Sequence, residues 1–308
     1  LDLEGFLNLP TSEVANLVRL DGPKVCVLPV NGTRRWFLLE HPPSSWEGKD
    51  FLNAYHDLSV KRQLDIYRLI FDHGIETLMM PMFGPDLMER GLAYQEVMMA
   101  AMCEMATDDV FTDFYHQYDV KACFYGDYRK YLKDTPFQQV CEVFEQLAER
   151  TQNHRQFRLL YGAFGHDATE TVGELAIQYF QVHQKAPSKR ELVEMYYGEN
   201  IPPVSFFIGF DRFSSFDMPL VATGAEDLYF TASPSFYLNQ TQLRIILYDH
   251  LYTRRIQEQD YEELTPEVIG RMRDFYSQNQ NNTLGVGMVR DGFWYPLPNV
   301  ILPDSFKI

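Results

Sequence analysis

Basic residues are scarce in this sequence: 27 Lys and Arg stand against 43 Asp and Glu, a formal net charge of −16. A field of that sign repels polyanions, so nucleic acid and an anionic membrane surface are poor partners for the chain as a whole. A small anionic ligand is not excluded, because a pair of arginines in a cleft outweighs a diffuse surface charge. Cysteine is also sparse. Cys26, Cys103, Cys123 and Cys141 show no Cys-x-x-Cys spacing, and they read as reduced, structural thiols of a cytoplasmic protein. Residues 1–18 lack the basic start and continuous apolar core of a signal peptide. No run reaches the ~18 uninterrupted apolar residues that a membrane span requires, and a soluble chain is expected. Internal repeats, low-complexity tracts and long Pro/Gly/Ser linkers are missing too. That favours a single domain over residues 1–298, with a loosely held tail at 299–308.

Aromatic residues, by contrast, are plentiful: 23 Phe, 19 Tyr and 3 Trp make up 15 % of the chain. Two readings stay open, a Phe-rich core and an apolar cavity walled by rings whose faces can stabilise a cation. Short apolar runs alternate with longer amphipathic ones. Strands are expected at 24–30, 75–83, 120–125, 157–164, 204–210 and 227–231. Helices are expected near 51–73, 86–105, 108–118, 136–150, 167–184, 188–197, 240–258 and 265–278. One strand per helix, repeated, is the signature of an α/β fold with a parallel six-stranded sheet flanked by helices. Such sheets bind ligands outside the carboxyl ends of their strands.

Two motifs pass that positional test. Asn31-Gly-Thr-Arg-Arg-Trp36 follows the first strand. Asn-Gly is a turn signal, Gly32 allows backbone to approach a ligand closely, and Arg34 and Arg35 supply guanidinium groups for a phosphate. Phe210-Asp-Arg-Phe-Ser-Ser-Phe216 follows the fifth strand, and there Arg212 and Ser214 can face one oxyanion. Either motif alone also reads as a solvated turn. Two Arg-bearing loops after two strands of one sheet are more informative than one.

The first loop resembles the Asp-Gly-Asn-Arg-Arg-Trp loop of cis-prenyltransferases. Arg212-Phe-Ser-Ser-Phe216 and Asp227-Leu-Tyr-Phe-Thr231 resemble two further segments of those enzymes. The resemblance is closer to a diterpene-synthase branch of that fold, the tuberculosinol (tuberculosinyl adenosine transferase) and kolavelool synthases, with the kolavelool synthases favoured. Phe71-Asp-His-Gly-Ile-Glu-Thr77, Tyr125-Gly-Asp-Tyr128, Tyr196-Tyr-Gly-Glu199, Arg212-Phe-Ser-Ser-Phe-Asp217 and Leu247-Tyr-Asp-His250 carry it from about Phe6 to Tyr295.

What the resemblance implies is a cis-prenyltransferase fold that does not elongate chains. It ionises a bicyclic (clerodane- or halimane-type) diterpene diphosphate such as kolavenyl diphosphate, and water quenches the cation to a diterpene alcohol. Transfer to a nucleoside such as adenosine is the alternative, and a catalytically weak lipid-diphosphate-binding subunit is a third reading. Gly32, Thr33, Arg34, Arg35, Arg212 and Ser214 would hold the diphosphate, with Mg²⁺ as Lewis acid. Tyr55 and Tyr94 match two active-site tyrosines, for cation stabilisation and orientation of the attacking water. Asn31 stands where the family has Asp. A carboxamide holds Mg²⁺ poorly, and its loss of charge should weaken diphosphate departure by ~3 kcal/mol. Asp227 is the second expected metal ligand. Asp127, His166 and Asp167, after strands three and four, are expected only at the pocket rim. A homodimer, with the helices near 240–278 as its surface, and a separate cyclase supplying the substrate complete the expectation. No Asp-x-Asp-Asp motif for alkene protonation is found in the chain.

Overall fold

Six of the apolar runs form one parallel sheet in the computed structural model, which describes residues 1–46, 48–297 and 300–306. The strands are β1 (Val25–Val27), β2 (Thr77–Phe83), β3 (Val120–Tyr125), β4 (Phe157–Ala163), β5 (Phe206–Phe210) and β6 (Asp227–Thr231). Their order is β3-β4-β2-β1-β5-β6, and every neighbouring pair is parallel. The shortest, β1, is wholly buried at the centre. Pro29, which has no N–H to donate to a ladder, follows it closely.

Helices α1 (Leu3–Leu7), α2 (Thr11–Leu20), α3 (Thr33–Glu40) and α4 (Phe51–Asp72) precede β2, apart from β1 itself. Next come α5 (Leu92–Thr107), α6 (Asp109–Gln117), α7 (Tyr128–Leu132), α8 (Val140–Thr151), α9 (Thr169–His183) and α10 (Lys189–Tyr197). After β6 follow α11 (Gln240–Leu251), α12 (Pro266–Asn279) and an antiparallel hairpin of β7 (Gly287–Arg290) and β8 (Phe293–Pro296). The helix expected over 86–105 starts only at Leu92, because a 3₁₀ turn occupies Pro85–Leu87 and Gly91 is the N-cap. The one expected over 240–258 stops at Leu251 and gives way to a 3₁₀ turn at Thr253–Arg255. Helices α1, α2, α3 and α7 and the hairpin were not foreseen, although Asp291-Gly292 is a strong hairpin signal. Both its residues have positive φ, 51° and 79°, as the turn requires.

Strand alternation sorts the core into two faces. Cys26, Leu78, Met80, Phe206 and Ile208 face one side, with α2, α4, α5, α6, α8 and α11 packed on it. Val25, Val27, Met79 and Phe207 face the other, covered by Val193 and Tyr197 of α10 and by Met218 and Val221. Glycine matters where α4 ends: a Cβ on Gly74 (φ +88°) would lie 2.5 Å from the Ala15 carbonyl oxygen of α2. Arg244 of α11, 3 % exposed, ties down the amino-terminal helices. Its Nη1 donates to the carbonyls of Leu7 (2.6 Å) and Leu9 (2.7 Å), Nη2 to Thr11 Oγ1 (3.0 Å) and Nε to His73 Nε2 (3.3 Å). Burial lowers the His73 pKa, so the neutral ring receives that last bond without charge repulsion.

Within the expected tail, Ile301 exchanges two hydrogen bonds of 2.8 Å with the Asn279 side chain at the end of α12. Asn299, Lys307 and Ile308 lie outside the described residues. No helix among the described residues is long and apolar enough to cross a membrane.

Candidate active site

The topology itself selects a place. From β1 the chain proceeds to β2 on one side, through α3 and α4 on the first face; from β5 it proceeds to β6 on the other side, along the second face. The crevice between the carboxyl ends of β1 and β5 is therefore the switch point where α/β sheets bind ligands. Both Arg-bearing motifs open into it.

The first motif was expected as a turn. The structure makes it the amino terminus of α3: Gly32, at φ +74°, is the N-cap, and no side chain caps the first turn. The leading N–H groups of an uncapped helix are open to an anion and lie at the positive end of its dipole. Only glycine fits here. A Cβ at position 32 would lie 2.6 Å from Phe210 Cε1 and 3.1 Å from Pro234 Cβ. Ser235 fastens the entry to the turn: its Oγ accepts the Asn31 N–H at 3.1 Å, and its N–H donates to the Asn31 carbonyl at 3.0 Å.

Each side chain of this turn has its own partner. Thr33 Oγ1 lies 2.6 Å from Tyr55 Oη of α4, and the Tyr55 ring packs with Phe37 and Phe51 at centroid distances of 5.5 and 6.0 Å. Arg34 Nη2 donates to Tyr94 Oη of α5 at 2.7 Å. The Tyr94 ring lies under the guanidinium carbons of Arg34 (5.4 Å) and Arg90 (4.8 Å), so it fixes the orientation of Arg34. Arg35 Nη1 donates to Asp211 Oδ2 at 3.1 Å. Its guanidinium lies between Phe210 (5.4 Å) and Phe293 of β8 (5.2 Å), which brings the unforeseen hairpin over the site. Arg212 and Ser214 are exposed. Ser214 N–H donates to the Arg212 carbonyl at 2.9 Å, and the Arg212 guanidinium makes no hydrogen bond among the described residues.

The sequence reading gave Asp211 no role. It is 8 % exposed with φ +72°. One oxygen holds Arg35, and Oδ1 is buried with no partner among the described residues. The only signal was its place directly before Arg212 in the second motif.

Asp227 requires a correction. It begins β6, at the amino end of the sheet, while the crevice opens at the carboxyl end near Thr231; four residues of strand rise separate the two, ~13 Å. Both its oxygens are engaged, Oδ2 with His250 Nδ1 at 2.6 Å and Oδ1 with Arg254 Nη1 at 3.3 Å. It is a structural ion pair and does not meet Asn31.

At the other end of the second motif, Asp217 crosses to the carboxyl ends of β3 and β4. It is 6 % exposed, at φ +59°. Tyr125 Oη donates to its backbone carbonyl at 2.8 Å, and His166 Nδ1 stands 3.7 Å from its Oδ1. Burial pushes its pKa up to about 6, with His166 acting weakly the other way. Asp127 accepts a 2.8 Å bond from Thr171 Oγ1, and burial raises its pKa. Asp167 accepts from Thr169 N–H (3.0 Å) and Oγ1 (2.6 Å), fixing the start of α9.

A six-stranded parallel sheet with an open helix terminus and converging guanidinium groups at its switch point defines a cis-prenyltransferase fold. Two solved structures share it. Lavandulyl diphosphate synthase from Lavandula x intermedia, in complex with dimethylallyl diphosphate, is 12 % identical with a TM-score of 0.60, covering 82 % of this chain and 100 % of its own. A probable undecaprenyl diphosphate synthase from Campylobacter jejuni is 13 % identical with a TM-score of 0.54, covering 78 % and 99 %. Among curated proteins, tuberculosinyl adenosine transferase of Mycobacterium tuberculosis is 40 % identical over 94 % of this chain and 96 % of its own length. The (+)-kolavelool synthase of Herpetosiphon aurantiacus is 24 % identical over 96 % and 95 %. The chain belongs to the family of tuberculosinyl adenosine transferase. Within it, the transferase is more similar than the kolavelool synthase that the motifs favoured. No protein-family profile matches the chain.

Proposed function

We propose that the chain ionises the allylic C–O bond of a bicyclic diterpene diphosphate and transfers the diterpenyl group to a nucleoside such as adenosine. The observation that carries the reading is the open amino terminus of α3 at the switch point, with Arg34 and Arg35 in its first turn and Arg212 in the loop that follows β5. When the C–O bond breaks, its electron pair leaves with the diphosphate. Preorganised N–H and guanidinium donors stabilise that developing charge without reorganising. The cation would be left beside the half-buried Phe51 and Tyr55 rings, whose faces stabilise it without adding to it. A nitrogen lone pair then forms the new C–N bond. The 40 % identity to an adenosine transferase supports this acceptor.

Mg²⁺ fits the donor set. Mg²⁺ keeps most of its waters and uses one or two carboxylates plus phosphate oxygens; the orphaned, buried Oδ1 of Asp211 supplies such a ligand beside Arg35. Asp211 and the Asn31 carboxamide would hold the ion, which when bound spreads the charge of the leaving group. No set of three His, Cys, Asp or Glu side chains able to hold a metal occurs among the described residues. The diphosphate would therefore complete the site.

A second reading, capture of the cation by water to give a diterpene alcohol, rests on the paired hydroxyls of Thr33 and Tyr55. They can orient one water toward the cation, and the proton that the water sheds would pass to an oxygen of the departed diphosphate. A homodimer and an upstream enzyme that cyclises the substrate belong to the same proposal. Incubation with clerodane- or halimane-type diphosphates and Mg²⁺, with and without adenosine, separates the readings. A nucleoside adduct with equimolar diphosphate supports transfer; alcohol alone in both arms supports water capture. No diphosphate release, even after Asn31→Asp, would sink both and leave a binding subunit.

A further inference from the structure

The hairpin of β7 and β8 bears on both Arg-bearing loops, a contact to which the ionisation gives no role. Phe293, the first residue of β8, lays its ring 5.2 Å from the guanidinium carbon of Arg35. Phe210, at the end of β5, stands 5.4 Å from the same carbon. Upstream of β7, Gly285 meets the second loop: at φ +86°, a Cβ there would lie 3.2 Å from Phe213 Cδ2. Phe213 lies between Arg212 and Ser214 and stacks on Phe230 of β6, with centroids 4.7 Å apart and planes inclined by 13°.

Polar contacts do not fasten the hairpin to the body of the fold. Its strands pair with each other, from Gly287 with Pro296 to Arg290 with Phe293, and Leu297 N–H donates to the Val286 carbonyl at 3.0 Å. Trp294 folds over Gly287, where a Cβ would collide with its indole. Among the described residues, no hydrogen bond or ion pair joins residues 285–297 to the six-stranded sheet or its helices. Phe293 is 48 % exposed, so removing its ring opens no sealed cavity in the core.

Arg35 uses one donor on Asp211 Oδ2, and its others have no hydrogen-bond partner among the described residues. A guanidinium carries its five N–H donors in one plane and none on its faces. Aromatic rings at those faces attract the charge without competing for the donors. Asp211 holds a single nitrogen; a ring against a face fixes the tilt of the plane. The ordering entropy of a long side chain is then lost before an anion arrives, and the remaining donors stay directed. Linkage makes the effect reciprocal: whatever hairpin docking adds to anion affinity, an anion returns to docking by the same factor.

We propose that Phe293 is a positioning residue of the diphosphate site, and that the hairpin is a strap whose docking on Arg35 and Phe213 presets Arg35 for a diphosphate. This rests on the diphosphate reading of the crevice, and it adds the residue that orients Arg35 from outside the sheet. Phe293 touches no reacting atom and acts only through Arg35.

The test is calorimetry of the full chain with inorganic diphosphate and Mg²⁺. Phe293→Ala should weaken diphosphate about fivefold, the size of a half-exposed cation–π contact. Phe293→Tyr keeps a ring and should bind as the parent does. Phe293→Leu keeps apolar bulk without a ring and should lose as much as the alanine variant. In an Arg35→Ala background, itself weaker for diphosphate, Phe293→Ala should add no further loss. Hydrogen exchange reads the reciprocal effect: diphosphate should slow exchange over residues 285–297 about fivefold in the parent and leave it unchanged in Phe293→Ala. Parent-like binding by both the alanine and leucine variants overturns the proposal. So does a full fivefold loss from Phe293→Ala in the Arg35→Ala background, since the ring would then act without Arg35. A parent that binds no diphosphate overturns the crevice as an anion site, and this role of Phe293 with it. A parent that binds diphosphate through Arg35, with every Phe293 variant alike, refutes the strap and leaves the crevice standing.

Discussion

Thr33 Oγ1 and Tyr55 Oη lie 2.6 Å apart, joining the first residue of α3 to the inner face of α4 across the crevice. The pair couples the diphosphate end of the site to the aromatic end. Tyr55→Phe keeps the ring and deletes one hydroxyl. Turnover should fall about tenfold, on the scale of one lost hydrogen bond to the attacking water, and the alcohol fraction of the product should fall relative to nucleoside adduct. Product ratios by liquid chromatography and mass spectrometry check this; an unchanged alcohol fraction would remove Tyr55 from any role with water.

Asn31 sits at the entry to the same turn, held through its backbone by Ser235, so its side chain can be exchanged without rebuilding the loop. Asn31→Asp adds a charge where metal and leaving group meet. Diphosphate release should rise by about a hundredfold, ~3 kcal/mol, with half-saturation at lower Mg²⁺. Initial rates against Mg²⁺ concentration measure both. A flat response would mean that Asp211 alone supplies the carboxylate.

Gly32→Ala tests the helix terminus as the anion cradle. A side chain at φ +74° costs ~1–2 kcal/mol, and its Cβ would meet the Phe210 ring at 2.6 Å. The turn must shift, and inorganic diphosphate should bind at least tenfold more weakly by calorimetry. Stability should fall only by that conformational cost. Unaltered affinity would argue that the arginines act without the backbone.

The raised pKa of Asp217, about 6 against 3.8 for an ordinary aspartate, makes a signed prediction. The folded protein binds the proton more tightly than the unfolded chain between these values, so stability falls as pH rises from about 4 to 6 and stays lower above. Asp217→Asn has no such charge to bury. The variant should match the parent near pH 4 and exceed it by about 3 kcal/mol at pH 8, as read from urea midpoints at the two pH values.

Arg244→Met should behave in the opposite way. It leaves the Leu7 and Leu9 carbonyls without their donor, a loss of about 3 kcal/mol. Hydrogen exchange should show α1 and the start of α2 opening first, with the crevice unaffected.

The sheet was legible because its signal is local. Runs such as Val120–Tyr125 and Asp227–Thr231 were read with the boundaries the structure gives them, since apolar runs punctuated by Gly and Pro specify strands through backbone sterics and burial. The placement of both Arg-bearing motifs was legible for a related reason: Gly32, Arg34, Arg35, Arg212 and Ser214 lie in short contiguous segments that follow strands. Helix α3 was hidden within the first motif. A Gly N-cap at positive φ followed by Thr-Arg-Arg reads as a turn until packing against Phe210 and Pro234 fixes the next residues as helical.

By itself the sequence determined that a parallel α/β sheet would form, and that two Arg-bearing loops would stand at the carboxyl ends of its first and fifth strands. Only the tertiary structure decided which acids belong to those loops. Asp227 seemed near the site by motif, but strand direction carries it to the far end of β6, where His250 hydrogen-bonds it and Arg254 balances its charge. Asp211 and Asp217 seemed incidental, yet the fold buries Oδ1 of each with no hydrogen bond among the described residues, Asp217 Oδ1 standing 3.7 Å from His166 Nδ1. Whether a carboxylate is paired or left open depends on groups distant in the chain, such as Arg35 with Asp211 and His166 with Asp217. Those distances are set when the strands align, and no local pattern of residues encodes them.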